Sequence, residues 1–90
     1  MYVKNKKEVT NQILSYLAEE LEVPTDAISA NDNLGTLVEL GLNSVYFIKI
    51  IIDLENMFHI EFDDSKLAWE DYNTLNDLIE YISDLIFNKK

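Results

Sequence analysis

The sequence predicts an all-α fold, a small helical bundle of three main helices plus one short helix, on three observations. Apolar residues recur at intervals of three and four in three separate stretches, the period of an amphipathic helix. Two glycines and one proline in 90 residues are too few for a β fold with many turns. A 48% hydrophobic content without any cysteine supplies one small core that must hold without disulfides. The chain therefore reads as a single domain over residues 1–90, with short basic tails at about 1–7 and 88–90.

Val9, Ile13, Leu14, Leu17 and Leu21 form the stripe of a first helix from about Lys6 to Glu22, and Asn5 followed by Glu8 has the form of a capping box. Pro24 biases Val23 toward extended backbone and ends that helix. Thr25 to Gly41 mixes Asp, Asn and Ser with isolated apolar residues and reads as a long connecting loop, pinned to the core by Ile28, Leu34, Leu37, Val38 and Leu40. Its seventeen residues exceed the usual loop length, the mark of a functional loop or of an unrecognised short helix.

From Ser44 to Phe58 two signals conflict. The run Val45 to Ile52 is rich in β-branched and aromatic residues and by propensity reads as a buried strand. Lys49, Asp53 and Asn56, spaced by four and three, lie on one helix face, and no turn signal interrupts the run. Periodicity decides for a helix, whose apolar stripe is wider than one core contact needs. Asp63 to Tyr72 then reads as a short helix of one or two turns, with Asp63 or Asp64 as its cap. Thr74, with Asp77 three residues on, opens a last helix to about Phe87, striped by Leu75, Leu78, Ile79, Ile82, Leu85 and Ile86.

The formal charge is −10, and all seventeen acids fall between Glu8 and Asp84, a stretch with only Lys49 and Lys66 as bases. A phosphate backbone would be repelled, so nucleic acid is not expected as a partner. Partners with basic patches would be steered toward the chain, and a charge of this size favours a monomer. No apolar run approaches the length of a membrane span and no signal-peptide core is present, so the expected location is cytoplasmic.

Catalysis is not expected: there is one histidine, no cysteine, no arginine and no glycine-rich phosphate loop. His59 follows Ser44 by fifteen residues, about 22 Å along a continuous helix, and cannot serve it as a base. It reads as a solvated helix-end residue. The carboxylates lack the spacing of a calcium loop, so no metal site is expected and they read as a solvated surface. Trp69 and Tyr72 read as packing residues.

Glu39-Leu40-Gly41-Leu42-Asn43-Ser44-Val45 stands apart, because it places a hydroxyl at the start of a long apolar helix after a glycine-containing loop. Helix N-terminal N–H groups and the positive dipole end favour a phosphate, so a serine there is well placed to carry a phosphodiester added by another enzyme. The plainer reading of Asn43 or Ser44 is an ordinary N-cap worth about 1 kcal/mol.

The run Leu40-Gly41-Leu42-Asn43-Ser44-Val45, then Ile48, Leu54-Glu55 and Phe58, resembles the phosphopantetheine attachment motif of the acyl and peptidyl carrier proteins, L-G-x-D-S-[LI] followed by an apolar helix. The resemblance extends over nearly the whole chain, through Ile60-Glu61-Phe62-Asp63-Asp64 to Asn73-Thr74-Leu75. It implies a non-catalytic carrier in which Ser44 accepts 4′-phosphopantetheine from coenzyme A through a phosphopantetheinyl transferase, with Gly41, Leu42 and Asn43 around the site. The arm's thiol would hold acyl or aminoacyl groups as thioesters, received from a loading enzyme and passed to a downstream synthase or transferase. The helix from Ser44 would be the recognition helix, with Val45, Tyr46, Ile48, Lys49, Ile52 and Asp53 at partner contacts and Glu55 for acidic steering. Tyr46 and Ile52, flanking the polar stripe, are the favoured exposed contacts. Asn43 departs from the usual Asp and removes a charge beside the incoming phosphate. Lys49, where an acid is frequent, implies partners other than those of a fatty-acid synthase carrier, and the Ile-rich recognition helix more closely resembles free-standing carriers of peptide or polyketide assembly. The cargo stays open among fatty acyl, polyketide, aminoacyl and D-alanyl groups. The alternative is an acidic helical interaction domain of the same fold with no prosthetic arm.

Overall fold

The computed structural model describes residues 4–88. Helix α1, Lys6–Leu21, starts where the Asn5 side chain accepts from the Glu8 N–H at 3.0 Å. It buries Val9, Ile13, Leu17, Ala18 and Leu21, the stripe set by the sequence. Glu22 ends it in a left-handed conformation at φ 58°, which turns the Val23 N–H back onto the Ala18 carbonyl at 3.0 Å.

The stretch from Thr25 to Gly41 is not one loop. It holds a 3₁₀ turn at Thr25–Ala27 and helix α2, Leu34–Glu39, opened by Asn33, whose side chain accepts from the Gly35 N–H. Six residues with only Leu34 and Leu37 buried show no helical period, and Gly35, Thr36 and Val38 are poor helix formers. Ile28, Leu34 and Leu37 are buried as core anchors, Val38 is half-buried, and Leu40, beyond the last turn, is 38% exposed.

Helix α3, Ser44–Phe58, buries Phe47, Ile50, Ile51, Leu54 and Phe58, so helical periodicity prevails over the strand propensity of its sequence. His59 ends it at φ 56°. The short helix expected between Asp63 and Tyr72 resolves into two 3₁₀ turns, Asp64–Lys66 and Trp69–Asp71, the first capped by Asp63. An aromatic lattice holds this link down. Phe62 and Tyr81 meet edge to face at 5.1 Å, Tyr81 accepts the Asp63 N–H at 2.9 Å, and Tyr72 donates to the Lys66 carbonyl at 2.8 Å. Helix α4, Leu75–Phe87, opens with a full capping box between Thr74 and Asp77 and buries Leu75, Leu78, Ile79 and Ile82.

The four helices close over one core, with α1 alongside α4 and Lys6 paired to Glu80 at 2.7 Å across them. The N-termini of α2 and α4 are stitched together by backbone. Leu34 N–H donates to the Asn73 carbonyl at 3.3 Å and Leu75 N–H to the Asp32 carbonyl at 2.8 Å, an isolated antiparallel bridge between Asn33 and Thr74. Each helix thereby satisfies an N-terminal donor that its own turns leave free.

Candidate phosphopantetheine site

The segment Leu40 to Ser44 is built from two abutting helix ends. At the close of α2, Gly41 N–H donates to the Val38 carbonyl and Leu42 N–H to the Leu37 carbonyl, each at 3.1 Å, the paired bonds of a Schellman cap. Gly41 takes the required positive φ, 122°, and Leu42 drops its side chain into the core beside Leu37. One residue later the chain begins α3. Asn43, extended at φ −128° and ψ 174°, accepts from the Tyr46 N–H through its side chain at 2.8 Å and from the Phe47 N–H through its carbonyl at 2.7 Å. Leu42 anchors the junction below, and Ser44 stands exposed above it as the first residue of a fifteen-residue helix.

This arrangement suits a phosphodiester on the serine. The Ser44 and Val45 N–H groups lie in the unpaired first turn, at the positive end of α3, and Asn43 brings no carboxylate beside them. Beyond Ser44, α3 presents Val45, Ile48 and Ile52 outward at 81%, 49% and 51% exposure.

The polar neighbours of that stripe are engaged within the protein. Tyr46 is half-buried, its hydroxyl donating to the Glu20 carbonyl at 2.8 Å and lying 3.1 Å from the Glu20 carboxylate. Lys49 spans Glu20 at 2.5 Å and Asp53 at 2.9 Å, while Tyr16 donates to Asp53. The resulting network clamps α1 to α3. The Glu20 and Asp53 carboxylates hold the Lys49 ammonium above its usual range. The Tyr16 hydroxyl, followed by Lys49, holds Asp53 below the ordinary carboxylate value. Glu55 is half-buried and accepts from the Phe62 N–H at 2.7 Å, fastening the end of α3 to the link.

Sequence reasoning did not single out Tyr16 and Glu20 at this clamp. Their only signal is their i, i+4 placement beside the apolar stripe of α1. Nor did it place Leu67, Ala68, Trp69 and Glu70 next to Ser44. With Ile48 they line a small cleft of about 80 Å³ against the serine. Among the described residues no group of three His, Asp or Glu side chains is arranged to hold a metal, and no helix is long and apolar enough to cross a membrane.

The family described as "Phosphopantetheine attachment site" (PP-binding) matches residues 11–82, and the chain belongs to it. It is a non-catalytic carrier protein of the acyl or peptidyl type, a family that bears a covalent 4′-phosphopantetheine and works with phosphopantetheinyl transferases and synthesis enzymes. Acyl carrier protein 3 of Ralstonia nicotianae is 32% identical over 74 residues, covering 82% of this chain and 80% of that one. A D-alanyl carrier protein of Streptococcus uberis is 36% identical over 44 residues, 49% of this chain and 56% of its own length. Among solved structures, a free-standing peptidyl carrier protein from an uncharacterized Acinetobacter baumannii secondary metabolic pathway superposes with a TM-score of 0.68 at 28% identity, covering 89% of this chain and 94% of that one.

Proposed function

We propose that Ser44 is the attachment residue and that this chain, as one carrier domain, shuttles aminoacyl or small acyl thioesters in a peptide-type assembly pathway. The observation that carries the first part is the exposed Ser44 hydroxyl at the start of α3, seated on the Gly41–Leu42 cap and beside Asn43. A transferase would move phosphopantetheine from coenzyme A to Ser44 Oγ, the hydroxyl proton being lost as adenosine 3′,5′-bisphosphate leaves. The group supplies the thiol that this cysteine-free chain lacks. The chain's own residues hold the acceptor: Asn43 fixes the first turn, Leu42 anchors it, and the α3 dipole favours the phosphodiester. Val45, Ile48 and Ile52 offer the partner enzymes an apolar surface, with Tyr46, Lys49 and Asp53 setting the pose of α3 against α1 and Glu55 its far end. The peptide-type pathway is supported by the likeness to the free-standing peptidyl carrier. The expected setting is the cytoplasm, where coenzyme A and the loading enzymes meet.

The exposed stripe of α3 also favours a second reading, an interaction domain without an arm. Intact mass after incubation with coenzyme A and a broad-specificity transferase separates the two. Addition of one phosphopantetheine to wild type and none to Ser44→Ala is expected for the carrier. A wild-type chain left unmodified, with a partner that binds Ser44→Ala equally well, supports the interaction domain.

A further inference from the structure

Taking Ser44 as the attachment residue and a thioester as its cargo, we propose that Glu20 and Asp53 guard that cargo: they hold the one amine in the attachment hollow, Lys49, as an ammonium that cannot cleave the thioester. Three observations carry this. Ser44 and Lys49 line the same open hollow of about 700 Å³, together with Asn43, Val45 and Tyr46. Five residues separate them, about 7.5 Å along the axis of α3, a span shorter than the extended arm. The Lys49 side chain is exposed, so a group swinging from Ser44 meets it without any opening of the fold.

An unguarded lysine there is a hazard by simple chemistry. Its neutral Nζ attacks the thioester carbonyl carbon; a C–N bond forms, the C–S bond breaks, the nitrogen sheds one proton and the departing sulfur takes one up as the thiol. The resulting amide is stable, so the acyl group is stranded on the chain. Only the neutral amine has the lone pair for that attack, and an ordinary lysine holds about one part in a thousand of it near pH 7.5. Lys49 is held below even that. Its Nζ donates to Glu20 at 2.5 Å and to Asp53 at 2.9 Å and lies 5.6 Å from the centre of the Tyr46 ring, and all three partners favour the cation. The two carboxylates raise it above 10.5. The guards are themselves fixed, Asp53 by the Tyr16 hydroxyl and Glu20 by the Tyr46 hydroxyl. The other described lysines are placed differently. Lys66 Nζ sits 5.7 Å from the ring centres of both Tyr72 and Tyr81. Glu20 meets Lys49 and Tyr16 meets Asp53, so α1 runs antiparallel to α3 and the lysines at its start, Lys4, Lys6 and Lys7, lie toward the end of α3 opposite Ser44.

A broad-specificity transferase supplied with acetyl-coenzyme A installs the arm already acetylated, and intact mass confirms conversion of wild type, of the double variant Glu20→Gln with Asp53→Asn, and of Val45→Lys. After incubation at mildly alkaline pH and low protein concentration, hydroxylamine strips the thioester but leaves amides, and peptide mapping locates any acetyl group that stays. Ser44→Ala with acetyl-coenzyme A gives the background from the reagent itself. Resistant acetyl on Lys49 is expected to form about ten-fold faster in the double variant than in wild type, the change that one pKa unit makes in free amine. In Val45→Lys the introduced amine, at a position 81% exposed in the same hollow, is expected to be acetylated ahead of Lys49 in the same molecule. That comparison leaves both guards in place, so it decides the matter even where the double variant unfolds. Equal rates at Lys49 in wild type and a double variant shown to be folded by circular dichroism overturn the guard. So does a Lys49 acetylated as fast as position 45, or an absence of resistant acetyl at both positions. Each of these leaves the attachment reading standing, whereas a wild-type chain that gains no mass overturns that reading and the guard together.

Discussion

Gly41 has a neighbourhood that would admit a side chain and a backbone that would not. A Cβ built there comes no nearer than 3.9 Å to Leu21 Cδ2, so the difficulty of any other residue is its φ of 122°. Gly41→Ala is therefore expected to cost about 1–3 kcal/mol in urea unfolding, with the loss arising from the α2 cap and not from core volume. An unchanged midpoint would show that the cap can refold with φ negative. Asn43 and Ser44 were legible in the sequence because a cap followed by an apolar run has a local signature. Tyr46 was legible as a residue flanking the exposed stripe but not as a tether. Its hydroxyl partner, Glu20, is twenty-six residues away, and spacing along one helix carries no information about which face of another it meets.

Between elements, the clamp of Tyr16, Glu20, Tyr46, Lys49 and Asp53 makes the mounting of α3 on α1 sensitive to pH at both extremes. Asp53 sits below its ordinary 3.8 in the folded protein, chiefly through Tyr16, so its contribution is present above that value and is lost as pH falls through the depressed one. Lys49 is raised above 10.5, so its contribution is present below that value and is lost as pH rises through the elevated one. Tyr16 is raised from 10.0 by burial and by Asp53, and adds to the alkaline loss. Thermal unfolding followed by circular dichroism should thus lose this contribution in acid below about pH 4 and in base above about pH 10. In Tyr16→Phe the acid loss from Asp53 should shrink, because the largest cause of its shift is gone; an identical acid profile would assign that loss to other carboxylates. The three long helices could be read from the chain because each repeats its apolar positions over at least three turns. Helix α2 and the two 3₁₀ turns could not, since elements of three to six residues end before a period can be counted. Their placement is fixed instead by caps and by the aromatic lattice under the link.

At the scale of the molecule the dominant electrostatic fact is imbalance, seventeen acids against seven lysines. The ion pairs among the described residues lie at the surface, where solvent and salt weaken each of them. Self-repulsion of a net −10 acts on the whole body and is screened by salt. Raising sodium chloride from low to about 0.5 M is expected to stabilise the protein by about 1 kcal/mol, a rise of about 4–8 °C in Tm for a domain of this size. A Tm that falls with salt would mean the pairs outweigh the repulsion. The backbone bridge between Asn33 and Thr74 acts across the molecule in another way. Leu34 donates across it in one direction and Leu75 in the other, so parting the two segments breaks both bonds at once. In hydrogen–deuterium exchange the two amides, forty-one positions apart, should share one opening free energy and respond together to denaturant. The starts of the shortest and the last helix would then behave as one cooperative unit despite their distance along the chain.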